Sequence, residues 1–108
     1  LIYLLDQAIK NKDKQFNMSG GEQIRDYLNI YEVVNYISLI AKQNTYFDRV
    51  INCCSGNPIS VKDLVNQFLK DKGCSIELNL GHYPYRDFEP MSFWGDKSCL
   101  NKLLKISF

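Results

Sequence analysis

Apolar positions fall at helical spacing in three long stretches of the chain. From Leu1 to about Lys12, the residues Leu1, Leu5, Ala8 and Ile9 share a face. From Glu32 to about Gln43 the set is Val33, Val34, Ile37, Ile40 and Ala41, and from Ser60 to Lys72 it is Val61, Leu64, Val65, Phe68 and Leu69. Recurrence at i, i+3, i+4 and i+7 gives each helix an apolar stripe to bury. The third has the clearest ends: Ser60 and Asp63 resemble a capping box, and Gly73 is placed for a left-handed C-terminal cap. A shorter helix is predicted from near Lys97 to Lys105, with Asp96 or Ser98 as its cap.

Between the helices the period changes to two. Ile76, Leu78 and Leu80 alternate with Glu77 and Asn79, the sign of a half-buried strand. Arg49 to Cys54, centred on Val50 and Ile51, reads as a buried strand. Phe16-Asn17-Met18 is a third strand before the turn Ser19-Gly20-Gly21. If Ile24 to Ile30 is extended, Arg25, Tyr27 and Asn29 face one way, and Ile24, Leu28 and Ile30 the other. Helices alternating with strands predict a mixed α/β (α+β) domain over residues 1–108, with some parallel pairing.

Composition narrows the function without naming it. With 108 residues there is room for one modest core. Thirteen basic and 12 acidic residues leave a net charge of +1, and the basic residues are scattered. Neither gives a reason to expect a nucleic-acid partner. No apolar run approaches the ~20 residues that span a bilayer, so no membrane partner is expected either. The opening Leu1-Ile2-Tyr3-Leu4-Leu5 is too short for a secretory signal. The chain lacks an initiator Met, which fits a beginning inside a longer protein. Cys53, Cys54, Cys74 and Cys99 show no CxxC spacing. They read as reduced thiols of a cytoplasmic protein rather than a disulfide framework or a zinc site, and no metal is expected.

The chemistry-bearing stretch is Gly20-Gly21-Glu22-Gln23-Ile24-Arg25-Asp26-Tyr27-Leu28-Asn29-Ile30. It sets a guanidinium, a phenol and an amide on one face, and a guanidinium fork suits bidentate recognition of phosphate. Read alone, the default is a strand with a polar outer face. His82, in Gly81-His82-Tyr83-Pro84-Tyr85, reads as a loop histidine. Tyr83, Tyr85, Phe88, Phe93 and Trp94 read mainly as loop packing, with one of them near a ligand. Asp87 and Glu89 read as solvated residues or ribose contacts.

Gly-Glu-Gln-x-Arg-Asp-Tyr-Leu followed by an apolar helix resembles the motif of the extended short-chain dehydrogenase/reductases, which include NAD-dependent epimerases and dehydratases of sugar nucleotides. Val50-Ile51-Asn52 with Ser55-Gly56 and Ile59-Ser60-Val61 is similar to the family's strand-loop-helix segment. Glu89-Pro90-Met91-Ser92-Phe93-Trp94-Gly95-Asp96 with Leu100 and Leu103-Leu104 is similar to its closing segment, in the branch that makes deoxysugar nucleotides for surface polysaccharide. The order of these segments covers almost the whole chain.

The resemblance implies the C-terminal substrate-binding part of such an enzyme, with a nucleotide-diphosphate sugar as partner. It implies that Arg25 contacts the diphosphate and that Tyr27 lines the same site or supports Arg25. It also implies a second cation, for which Arg86 is the candidate. NAD or NADP would be bound by a Rossmann half outside this chain. Gly20, Gly21, Gly56, Gly73, Gly81 and Gly95 never fall into a dinucleotide-binding pattern, and no Tyr has a Lys four residues later to serve as the family's base. Catalysis, whether isomerase, lyase or oxidoreductase, would therefore belong to a parent, a homodimer by the family's habit, and not to these residues alone. Two positions depart from the family: Glu32 stands where Asp usually opens the helix, and Cys54 where Gly is common. A non-enzymatic scaffold or ligand sensor of the same superfamily, and an unrelated α/β interaction module, are the competing readings.

Overall fold

The computed structural model describes residues 1–43 and 50–104. Its elements are α1 (Ile2–Lys10), β1 (Gln15–Asn17), β2 (Ile24–Asp26), α2 (Ile30–Ala41), β3 (Pro58–Ser60), α3 (Val61–Lys72), β4 (Glu77–Asn79) and α4 (Ser98–Leu104). The mixed α/β class is the expected one. The strands form two two-stranded sheets, β1 with β4 and β2 with β3. The chain divides into two compact units, residues 1–24 with 59–92 and residues 25–58 with 93–108. No described helix is long and apolar enough to cross a membrane.

The first unit holds the larger core. β1 and β4 pair in parallel, with Phe16 opposite Leu78. Leu5 and Ala8 of α1, Phe16, Met18, and Val65 and Leu69 of α3 form one buried cluster, with Ile76 and Leu78 packed against it. The stripes predicted on α1 and α3 are thus the buried ones, except that Leu1 is exposed. Ser60 caps α3 by accepting from the Asp63 amide at 3.1 Å. Gly73 closes it at φ 65°, a conformation other residues adopt at a cost. α1 closes with Lys12 at φ 57°, where glycine is usual.

In the second unit, α4 packs against α2, and Leu100, Leu103 and Cys54 are buried. α4 is capped as predicted: Asp96 Oδ1 accepts from the Ser98 amide at 2.9 Å and the Ser98 hydroxyl at 2.7 Å. Its predicted last residue, Lys105, lies outside the described residues.

Three expectations are corrected. The extended segment expected from Ile24 to Ile30 ends as a strand at Asp26. Asn29 caps α2, accepting from the Tyr31 amide at 2.8 Å, so Ile30 begins the helix and is exposed instead of facing a core. The local bond from the Asn side chain outcompetes the alternation. Glu32 therefore lies in the first turn, where its charge suits the helix dipole, and is not the cap. Residues 50–54 form no strand. A strand needs a neighbour to complete its hydrogen bonds, and no ladder among the described residues reaches this segment. Val50 is 91% exposed. Arg49, its predicted start, lies outside the described residues.

α2 buries none of its residues fully. Val33, Tyr36 and Ile40 are half-buried, while Ile30, Val34, Ile37 and Ala41 form an exposed stripe on another face. The difference from α1 has a measurable consequence. Leu5→Ala empties a fully buried site and lowers the unfolding free energy of this chain by about 2–5 kcal/mol. Val34→Ala changes it by no more than about 0.5 kcal/mol. Urea unfolding of the two variants measures the contrast.

Candidate functional site

In the first unit the glycine turn is fastened from several sides. Gly21 sits at φ 72°, and a Cβ there would meet the Lys62 Cβ at 2.7 Å. Its carbonyl accepts from the Lys62 amide at 2.9 Å. A Cβ on Gly20 would meet the Tyr85 hydroxyl at 2.5 Å. That hydroxyl accepts from the Glu22 amide at 3.1 Å. Gln23 is buried; its Nε2 donates to Ser19 Oγ at 3.2 Å and Glu89 Oε1 at 3.3 Å. Its carbonyl accepts from the Val61 amide at 2.9 Å.

These bonds hold the loop that carries Arg86. Glu89 Oε2 accepts from the Arg86 amide at 3.3 Å, and the Glu89 amide donates to the Arg86 carbonyl at 3.1 Å. Arg86 is exposed, beside an open depression of about 490 Å³ lined by residues 86–90. Glu89 is thus a half-buried structural tie, not the solvated residue that was one of the two expectations for it. His82 is exposed, as a loop histidine should be, with Nδ1 3.3 Å from Asn79 Nδ2 and its ring edge-on to Tyr83.

In the second unit the centre is Asp26. Its Oδ1 accepts from the Ser55 hydroxyl at 2.6 Å and the Ser55 amide at 2.9 Å. Its Oδ2 accepts from the Gly56 amide at 2.9 Å and the Gly95 amide at 3.2 Å. One carboxylate therefore ties loop 55–56 and the segment before α4 to the motif. Burial pushes the carboxyl upward, but the Ser55 hydroxyl and the amides of Ser55, Gly56 and Gly95 together outweigh it and hold the pKa below the ordinary carboxylate value.

Arg25 and Tyr27 flank this tie. The Arg25 guanidinium lies over the Phe93 ring, 4.4 Å from its centroid. Tyr27 is partly exposed; burial raises its pKa, partly opposed by the Arg25 charge. Of the residues singled out in the sequence, Arg25 and Tyr27 lie in the second unit and Arg86 in the first. Asn29, expected on their polar face, is the α2 cap. Asp26 and Gln23 were missed. Both stand inside the recognised motif, and Asp26 shares by alternation the face of the apolar Ile24 and Leu28, which was the available signal.

The Cys54 departure has a structural counterpart. Cys54 is 8% exposed, and a Cβ on Gly95 would lie 2.5 Å from its Sγ and 2.6 Å from its Cβ. The bulk added at position 54 is accommodated because position 95 has none. Burial raises the Cys54 thiol pKa, and the Asp26 charge adds to it, which keeps the thiol unreactive. All four cysteines are free.

None of the described helices opens on a G-x-G-x-x-G turn: α2 follows Leu28-Asn29 and α3 follows Ile59-Ser60. The residues present do not build a dinucleotide site.

No family model matches the chain. It is 30% identical over 84 residues to the dTDP-6-deoxy-L-talose 4-dehydrogenase (NAD(+)) of Aggregatibacter actinomycetemcomitans, an overlap of 76% of this chain and 30% of that protein. The UDP-glucuronic acid 4-epimerase of Bacillus cereus, solved with UDP-glucuronic acid and NAD, superposes with a TM-score of 0.76 at 25% identity, over 96% of this chain and 32% of that one. An NAD-dependent NDP-hexosamine 5,6-dehydratase of tunicamycin biosynthesis superposes with a TM-score of 0.74 at 23% identity, over 94% and 32%. The chain spans about a third of the length of the proteins it matches.

Two outcomes test this geometry. The Asp26 pKa is depressed in the folded chain, so its stabilisation is complete above the ordinary value and is lost as pH falls through the folded one. Protection factors of the Ser55, Gly56 and Gly95 amides against hydrogen exchange should therefore fall below about pH 4, and Asp26→Ala should lower them at neutral pH while costing about 1.5–3 kcal/mol. Gly95→Ala should cost about 1–3 kcal/mol by overpacking. That cost should shrink when Cys54→Gly is already present, a coupling read from a double-mutant cycle of urea midpoints.

Proposed function

Since the chain belongs to the extended short-chain dehydrogenase/reductase family, we propose that residues 1–108 are the C-terminal substrate-binding part of an NAD(P)-dependent enzyme that modifies nucleotide-diphosphate sugars. Arg25 binds the diphosphate, Tyr27 lines the same site, and Arg86 supplies the second cation that the family's pattern calls for.

The observation that carries this reading is the division of labour inside the motif. Gly21, Gln23 and Asp26 are used for fastening. Arg25, between two fastened residues, has a backbone that cannot drift. A guanidinium held in this way meets a diphosphate with little ordering left to do, and charge-assisted bonds orient the sugar without reacting with it.

The reaction itself belongs to residues beyond this chain. The nicotinamide supplies hydride transfer when it is bound. This chain's part is to hold the nucleotide end still, so that binding energy from the diphosphate orients the sugar ring. The curated relative is a dehydrogenase, and the structural relatives are an epimerase and a dehydratase. Oxidoreductase, isomerase and lyase outcomes all fit this holding role. On this reading the whole protein is a cytoplasmic homodimer that serves polysaccharide biosynthesis, with neither membrane nor nucleic acid as partner.

Calorimetric titration of the full-length protein with UDP-, dTDP-, CDP- and GDP-sugars tests the proposal. One nucleotide should bind tightly, and Arg25→Ala should weaken it by about 1.5–3 kcal/mol, the range for a hydrogen bond to a charged group. Binding indifferent to Arg25, or no binding of any of the four, sinks the reading.

A further inference from the structure

Arg25 does not stand alone: its guanidinium lies over the Phe93 ring, with Cζ 4.4 Å from the ring centroid. The ring is 53% exposed, so burial alone does not explain its place. What holds it is close at hand. Asp26, next to Arg25, accepts from the amide of Gly95, two residues after Phe93. The same carboxylate binds loop 55–56. One tie therefore fixes both the backbone that carries the cation and the backbone that carries the ring.

The contact has a directional consequence. An aromatic face attracts a cation through its quadrupole. The guanidinium is planar and donates in its own plane. A ring held against the guanidinium thus restricts the planes in which its donors can act. A leucine at position 93 would supply apolar area but neither the quadrupole nor the flat support.

We propose that Phe93 is a positioning residue for anion recognition, which fixes the plane of the Arg25 guanidinium and so its approach to a diphosphate. This rests on the reading of Arg25 as the diphosphate contact. It adds a residue that the Gly-Glu-Gln-x-Arg-Asp-Tyr motif does not contain, and it gives the Asp26–Gly95 bond a role in binding as well as in folding.

The test uses wild-type protein, Phe93→Leu, Phe93→Tyr and Arg25→Ala, with inorganic pyrophosphate and UDP as probes. In arginine-labelled protein without ligand, the Arg25 Cδ–Hδ resonances should be shifted upfield by the ring current. Phe93→Leu should abolish that shift, and Phe93→Tyr should keep it. Phe93→Leu should weaken pyrophosphate and UDP binding about two- to fivefold, the range of an exposed cation–π contact. Phe93→Tyr should restore it, and Phe93→Leu should lower the thermal midpoint only slightly, by no more than the lost cation–π contact supplies, because the side chain is half exposed.

If Arg25→Ala weakens binding and Phe93→Leu does not, the positioning role is overturned and the diphosphate reading stands. If neither substitution weakens binding, both fall. An unshifted Arg25 resonance in the wild type overturns the positioning role by itself.

Discussion

The second unit depends on the carboxylate of Asp26. Four donors from Ser55, Gly56 and Gly95 converge on it. They come from segments roughly 30 and 70 residues away in sequence, so one side chain closes two long loops. Amide and hydroxyl donors stabilise the ionised form, which is why the pKa falls although burial opposes it. Gln23 does comparable work in the first unit. It is a buried amide that ties the glycine turn to Glu89 and α3, and a buried amide is tolerated only with its partners in place. Arg25 stands between Gln23 and Asp26 in sequence, and its backbone adjoins the Asp26 ties.

That arrangement explains why the motif was easy to see and hard to apportion. Gly21, Gln23, Arg25 and Asp26 stand together in the segment that resembles the family's motif. Periodicity predicts only that alternate residues share a face. It does not say which polar residue turns inward to close a loop. By count Asp26 falls on the same face as Ile24 and Leu28, which alternation alone directs to the core. The carboxylate is there because loop 55–56 and Gly95 bring their amides to it, and these are contacts from far along the chain.

Helices were more legible than strands, and the physical reason is locality. α3 carries its stripe, its Ser60 cap and its Gly73 stop within 14 residues of sequence, and each acts on the helix's own backbone. α1 was legible from its stripe alone. The α2 boundary moved because Asn29 was counted in an extended segment, although Asn before an apolar run is also a cap signal. A strand has no such self-sufficiency. Glu77–Asn79 became one because β1 lies alongside it. Residues 50–54 have as strong a strand pattern and no partner among the described residues, so the pattern goes unused.

The same reasoning applies to α2. Its apolar positions run around the helix, and one stripe of them is exposed. A helix apolar on all sides is ordinarily packed on more than one. Both unsatisfied patterns, the 50–54 segment and the outer stripe of α2, belong to the second unit, whereas the first buries its stripes in its own core. The contrast is one of kind. In the first unit, hydrophobic pattern and burial agree residue by residue. In the second, hydrogen bonds to Asp26, the Asp96 cap, and Cys54 filling the space that Gly95 leaves add to the burial of Leu100 and Leu103. The ties to Asp26 hold loop 55–56 and the segment before α4 in register with the backbone beside Arg25, whatever the exposure of the outer α2 stripe.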